Sequence, residues 1–278
     1  MGSRGLHICV SKGKKIMNIV IQGALYGDFT LNSAHKYSQF EKVNKVIIST
    51  WEDQKISEDM IQNDNIILLK NKLISNGGPG NMNYQIISSR KGIELCDDGL
   101  IMKTRSDQFL YEHSFNKWFS FFNSKSKTEN TLRYFSDGVK QKSKIYLVGN
   151  NKMLPFHPQD HFFWGYKQDL GRLFSLPLWD APSWNWKTKN LDFSKLLRCP
   201  VYLGINYYLQ FYPEVKRFIN NEKKYLVDNA PFFHEAMNFY LPIKDSIFGV
   251  FPRVEMRWEK YNSGYWYSYE KDGEYYAD

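Results

Sequence analysis

Leu100-Ile101-Met102-Lys103-Thr104-Arg105-Ser106-Asp107 is an apolar run that closes in a cluster of charges. A strand covered by helices on both faces has this pattern, because neither of its side-chain rows meets water. Its charged end then falls at the rim of a sheet, where an open α/β fold binds its ligand. The segment reads as delivering one carboxylate, Asp107, and two cations, Lys103 and Arg105, to that rim, a setting for phosphate chemistry. It also reads as a surface loop in which Asp107 caps the following helix.

The flanking sequence favours the sheet. Asn18-Ile19-Val20-Ile21-Gln22-Gly23 is a short apolar run closed by glycine, a first buried strand and its loop. A polar, helix-compatible stretch from Thr30 to Val43 leads to a second strand, Lys45 to Trp51, so the chain opens with a βαβ unit whose crossover should be right-handed. Asn65-Ile66-Ile67-Leu68-Leu69 is a third strand. The turn-forming Asn76-Gly77-Gly78-Pro79-Gly80-Asn81 and a helix from Met82 to Glu94 separate it from the opening segment, which becomes the fourth. This alternation predicts an α/β fold with a mostly parallel sheet and helices on both faces.

Beyond Asp107 the pattern is less regular. Strands are expected at Lys144 to Val148 and Asp160 to Gly165, and helices from Asp169 to Phe174, Leu203 to Asn220 and Phe232 to Tyr240, in an aromatic-rich half punctuated by prolines. Residues 1–16 read as a tag or disordered leader, and 17–278 as one domain, with a ligand-binding half at 17–110 and an irregular half at 111–278.

Composition narrows the function. The net charge is +8, but Arg4, Lys12, Lys14 and Lys15 lie in the leader without an acid, leaving +4 for the fold. That is a mild bias towards anionic ligands or an anionic membrane surface and too little for nucleic acid. Cys9, Cys96 and Cys199 lack metal-site spacing and suggest a reducing compartment. With no apolar run near the ~20 residues that span a bilayer, a cytoplasmic protein is expected, with peripheral contact at the inner face of the membrane as an option. Aromatic residues make up 17% of the chain and concentrate at Trp179 to Trp186 and Tyr261 to Tyr276, which suits sugar stacking, an interfacial surface or ordinary core packing.

Four segments in order then point to a family. Gln22-Gly23, Ile47-Ile48-Ser49-Thr50-Trp51-Glu52, Asn81-Met82-Asn83-Tyr84-Gln85-Ile86-Ile87-Ser88-Ser89 and Lys103-Thr104-Arg105-Ser106-Asp107 together resemble the WavE-type lipopolysaccharide-synthesis family of glycosyltransferases. The resemblance implies a GT-A-like fold, a nucleotide-sugar donor such as a UDP-sugar, and a glycan or lipid-linked glycan acceptor in bacterial surface-polysaccharide or capsule synthesis. It places Arg105-Ser106-Asp107 at that fold's Asp-x-Asp motif, with Asp107 on Mn2+ or Mg2+ and Arg105 or Lys103 on phosphate. Arg105 stands where the first Asp belongs, so the motif has one carboxylate. Gln22, Gly23 and Trp51 would lie by the donor's base and ribose, and Asn83 and Gln85 would bond ribose or diphosphate. Trp51 as core packing, and Asn83 and Gln85 as a polar helix face, are the plain alternatives.

A second constellation is His157-Pro158-Gln159-Asp160-His161, just ahead of the aromatic run Phe162-Phe163-Trp164. An inverting transferase needs a base for the acceptor hydroxyl. Asp160 is the candidate, at a strand edge facing the cleft of Asp107, its pKa expected to be raised beside apolar rings. His161 or His234 would complete a metal shell, unless both are structural and Asp160 simply pairs with a cation. No Gly-x-Ser-x-Gly elbow is present, and glycoside hydrolysis by Asp107 and Asp160 leaves Lys103 and Arg105 unexplained. Lys187, Lys189, Lys195, Arg198, Lys216, Arg217, Lys223 and Lys224 read as a face for an anionic lipid-linked acceptor or as solvated surface. The rival function is a non-catalytic carbohydrate-binding or assembly protein on a degenerate nucleotide fold.

Overall fold

Each predicted apolar run of the first half forms a strand in a computed structural model that describes residues 16–56, 61, 63–128, 133–148, 155–179, 199–219, 230–251, 257–261 and 266–268. In chain order the elements are β1 (Met17–Gln22), α1 (Asp28–Gln39), β2 (Val43–Trp51), β3 (Ile66–Asn71), α2 (Met82–Glu94), β4 (Leu100–Arg105), β5 (Gln108–Leu110) and α3 (Glu112–Thr128). They continue with β6 (Ile145–Leu147), β7 (Phe162–Tyr166), α4 (Lys167–Phe174), α5 (Cys199–Leu209), α6 (Ala230–Ile247), β8 (Phe248–Val250), β9 (Arg257–Lys260) and β10 (Trp266–Ser268).

Among the described residues, seven strands form one sheet in the order β3-β2-β1-β4-β7-β6-β8. The strands β3, β2, β1 and β4 pair in parallel, β7 is antiparallel to β4 and β6, and β8 is parallel to β6. The expected α/β class with a mostly parallel sheet is therefore present. Alternation along β1 sends Met17, Ile19 and Ile21 to the face covered by α1 and α3, and Val20 to the face covered by α2 and α4. Both faces are apolar and both bury core, so each inner strand reads as an unbroken hydrophobic run.

The second half departs from expectation in several places. The predicted helix Leu203 to Asn220 is α5, ending at Leu209, and a separate 3-10 helix, Pro213–Phe218. Proline lacks an N–H and suits a first helical position, so Pro213 starts a new turn instead of extending the old one. The helix predicted to stop at Tyr240 runs through Pro242 to Ile247. Residues 1–15 of the leader, Lys187, Lys189, Lys195, Arg198, Lys223, Lys224 and the aromatic run from Asp180 to Trp186 lie outside the described residues, as does most of Tyr261 to Tyr276.

The strand order reverses at β1, which has β2 on one side and β4 on the other. A crevice opens at the carboxyl ends of strands where such a reversal occurs. Here the register puts Gln22 opposite both Ser49 and Arg105, so the ends of β1, β2 and β4 lie level. A second, three-stranded antiparallel sheet, β10-β9-β5, branches off just beyond Asp107. No helix among the described residues is long and apolar enough to cross a membrane.

Candidate functional site

The crevice is a cleft of about 400 Å³, within the usual range for small-ligand sites. Its floor is the β1–β4 junction. Ser106 N–H donates to Gln22 O at 2.9 Å, and Gly23 N–H donates to Ser49 O at 3.1 Å. Gly23 has φ +120°, and a Cβ there would lie 2.9 Å from Ser106 Oγ. Both the left-handed backbone and the close approach demand glycine. Gly23→Ala is expected to lower unfolding free energy by about 1–3 kcal/mol, the usual strain at such a position, as denaturant titration would show; an unchanged midpoint would refute the constraint.

Thr30 ties the loop after β1 to this floor. Its hydroxyl donates to Ser106 O at 2.9 Å and accepts from Tyr26 N–H at 3.0 Å. Gln22 Oε1 accepts from Ser88 Oγ of α2 at 2.9 Å, fixing its amide against that helix. Trp51, at the end of β2, packs edge-on to Tyr84 of α2 with ring centroids 4.8 Å apart. Gln22, Gly23, Trp51, Tyr84 and Gln85 all line the cleft. Trp51 is 5% exposed, so it is mostly core and offers the cleft only an edge.

Opposite this aromatic wall, Arg105 stands between two carboxylates. Its Nε donates to Asp107 Oδ1 at 2.9 Å and its Nη2 to Asp107 Oδ2 at 2.8 Å. Its Nη1 lies 3.6 Å from Asp160 Oδ2. Asp107 occupies the turn between β4 and β5, its carbonyl accepting from Tyr261 N–H at 2.9 Å; Asp160 precedes β7, which pairs with β4. Two carboxylates 53 residues apart in sequence thus meet at one cation, and all three residues line the cleft.

Burial pushes the Asp160 carboxyl up, but Arg105, aided by His161, Lys103 and His157, outweighs it and holds the pKa below the ordinary carboxylate value. The expected raised pKa is therefore corrected: the guanidinium, which no strand-local pattern reveals, wins over the apolar rings. Asp160 is ionised at neutral pH.

Other sequence candidates sit elsewhere. Lys103 shares the face of Arg105 but lies two residues deeper in β4, fully buried, with Nζ 5.1 and 5.6 Å from the Phe163 and Phe174 rings and 3.4 Å from Asp160 O. It does not line the cleft, so the structure supports Asp160 with it and brings no phosphate-reaching cation there. Asn83 is also turned to a structural task. Its Nδ2 donates to Asn76 O and Trp179 O at 3.0 and 2.8 Å, and its Oδ1 accepts from Trp179 N–H at 2.7 Å, clamping two loops to α2.

The histidines do not join Asp107 either. His161 Nδ1 accepts from Gln108 Nε2 at 2.7 Å and its ring packs on Trp258, while His234 is exposed on α6 against Phe233. Burial first, then Arg105, pushes the His161 pKa down to about 4, with Asp160 opposing. Below pH 6.5 the unfolded imidazole takes up a proton and the folded one does not until about 4, so stability is lost as pH falls through that window. Relative to His161→Gln, the wild type is expected to lose about 3 kcal/mol between pH 6.5 and pH 4. Denaturant titrations at both pH values check this, and parallel pH dependence of the two proteins would refute it.

Mn2+ or Mg2+, implied by the resemblance, finds a poor fit in this arrangement. Both Asp107 oxygens accept from Arg105, and among the described residues no three His, Cys, Asp or Glu side chains are grouped as a metal ion needs. Cleft residues to which the sequence pattern assigned no role include Tyr26, Asp53, Gln54 and Ser106. Asp53 carried a signal, a carboxylate just past a buried strand.

The profile of the WavE lipopolysaccharide synthesis family matches residues 19–198. No curated protein sequence matches the chain. Among solved structures, residues 1–349 of S. aureus TarS in complex with UDP are similar at 12% identity and a TM-score of 0.43, over 83% of this chain and 72% of that one. The inositol-1-phosphate CTP transferase from T. maritima is similar at 10% identity and a TM-score of 0.42, over 91% of each chain. The 4-diphosphocytidyl-2C-methyl-D-erythritol synthase from Anaerococcus prevotii follows at 13% identity and 0.35, over 58% and 75%.

Proposed function

The chain belongs to the WavE lipopolysaccharide synthesis family, and from that premise we propose that it is a GT-A-like, nucleotide-sugar-dependent hexosyltransferase acting in surface-polysaccharide synthesis. The donor is a nucleotide diphosphate sugar, UDP-galactose or UDP-galactofuranose first among those to test, and the acceptor a glycan or lipid-linked glycan. The observation that carries this reading is the convergence of Arg105, Asp107 and Asp160 in a cleft at the strand-order reversal, opposite an aromatic wall.

The arrangement suits direct displacement with inversion. Asp160 accepts the proton of the acceptor hydroxyl while that oxygen attacks the anomeric carbon. The bond from that carbon to the phosphate oxygen breaks, and the nucleoside diphosphate leaves beside Arg105. Trp51 and Tyr84 border the space for the base, and Gln85 lies between them and the phosphates.

Specific donors stabilise the native state by mass action. A thermal-shift screen of UDP-, GDP-, CDP- and TDP-sugars is expected to single out one nucleotide, and the same donor is expected to release nucleotide slowly without acceptor. Stabilisation by free glycans with no nucleotide response would favour the carbohydrate-binding rival instead.

A further inference from the structure

We propose that the donor's diphosphate is held by Arg105 without a divalent ion, Asp107 acting as the residue that orients the guanidinium and not as a metal ligand. This rests on the nucleotide-diphosphate reading above and adds to it the identity of the cation. A guanidinium has five N–H groups in a rigid plane. Asp107 takes the Nε and Nη2 side of that plane through two hydrogen bonds. Two of the remaining N–H groups lie on the Nη1/Nη2 edge, and Nη1 is 3.6 Å from Asp160 Oδ2, beyond hydrogen-bond reach.

Arg105 and Asp107 both line the cleft, the Arg105 side chain 31% exposed and the Asp107 side chain 6%. A planar pair of N–H donors matches two oxygens of a phosphate, a fit that an ammonium lacks. A divalent ion asks for the opposite arrangement, a carboxylate with open oxygens facing the phosphates. An ion set between Asp107 and Asp160 would have to enter where the guanidinium already stands, and two cations there repel each other. Before a donor binds, the charges of Arg105 and Lys103 balance those of Asp107 and Asp160.

The test is calorimetric titration of UDP, GDP, CDP and TDP into the full chain, once in EDTA and once in MnCl2, with wild type, Arg105→Lys and Asp107→Asn. One nucleotide is expected to bind with Kd values within about threefold of each other in the two buffers. Arg105→Lys, which keeps the charge and loses the fork, is expected to weaken binding at least tenfold in both. Asp107→Asn is expected to weaken it severalfold in both, since an amide orients the guanidinium poorly. Binding that appears only with Mn2+, or that Arg105→Lys leaves unchanged, overturns the metal-free assignment while leaving the nucleotide reading standing. No binding of any nucleotide in either buffer overturns both.

Discussion

Asp160→Asn is expected to lower the rate of glycosyl transfer about 10³-fold, near the middle of the 10²–10⁴ range for losing a general base, while nucleotide affinity stays within about threefold. The carboxylate sits at the start of β7, on the cleft, with its side chain 17% exposed and one oxygen facing the Arg105 guanidinium. Asparagine keeps the shape and the approach to Arg105 but has no basic oxygen for the acceptor's proton. With the diphosphate assigned to Arg105 in the proposal above, binding and chemistry should separate. Initial rates with the donor found by thermal shift, set beside calorimetric affinity for its nucleotide, measure the two effects. A rate loss below tenfold would remove Asp160 from the role of base, and an equal loss in affinity would make it a donor ligand.

Arg105→Gln is expected to lower activity at neutral pH by at least about 10²-fold, the scale for losing a charge-stabilising donor, and to move the acid limb of the pH–rate profile upward. Two influences oppose each other at Asp160: burial raises its pKa, and Arg105 leads the groups that lower it to a net depression. Without the guanidinium the balance moves towards burial, and the carboxylate protonates at higher pH than in the wild type. The stability consequence has a definite sign. A depressed carboxylate contributes stability that is present above its unfolded value of 3.8 and is lost as pH falls through the lower folded value. In the variant the folded value rises, so the wild type's advantage should grow between pH 4 and pH 7. Denaturant titrations at those two pH values decide it. An acid limb that stays in place would mean that Arg105 does not set the protonation of Asp160.

The sequence made the first half of the fold readable because its signals are local. Ile19 to Ile21, Val46 to Ile48 and Leu100 to Met102 are apolar without alternation, as strands buried on both faces must be, and the half-buried edge strand Ile66 to Leu69 is equally unbroken. The polar stretches between them have helical length. The strands β5, β9 and β10 were not readable. Each is three or four residues long, and β5 pairs with β9 across some 150 residues of chain, as in Phe109 opposite Glu259. Helix α3, with Phe115, Trp118, Phe119 and Phe122 buried against the sheet, was likewise not assigned from sequence.

Around the cleft, sequence pattern does not separate residues that the fold turns in different directions. Lys103 and Arg105 look alike in Lys-Thr-Arg-Ser-Asp, yet one is sealed beneath Phe163 and Phe174 and the other reaches the cleft. Two residues along a strand are roughly 7 Å, enough to separate core from rim, and only the positions of β7 and α4 determine where the rim begins. Asn83 and Gln85 lie on one helix, but the loop carrying Trp179 takes the first and leaves the second on the cleft wall.

By itself the sequence determined the α/β class, the four leading strands, and the one strand end where charge gathers, since burial on both faces and charge placement are written in consecutive residues. The tertiary structure alone decided what those charges do. Whether Asp107 is free to take a metal ion or is occupied by Arg105, and whether Asp160 is a raised acid or an ionised base, depend on Coulomb interactions that act over a few ångströms in space. The Arg105–Asp160 distance is set by β4 pairing with β7, whose partnered residues lie 58 to 66 apart in the chain, as Thr104 opposite Phe162 and Leu100 opposite Tyr166, which no run of neighbouring residues encodes.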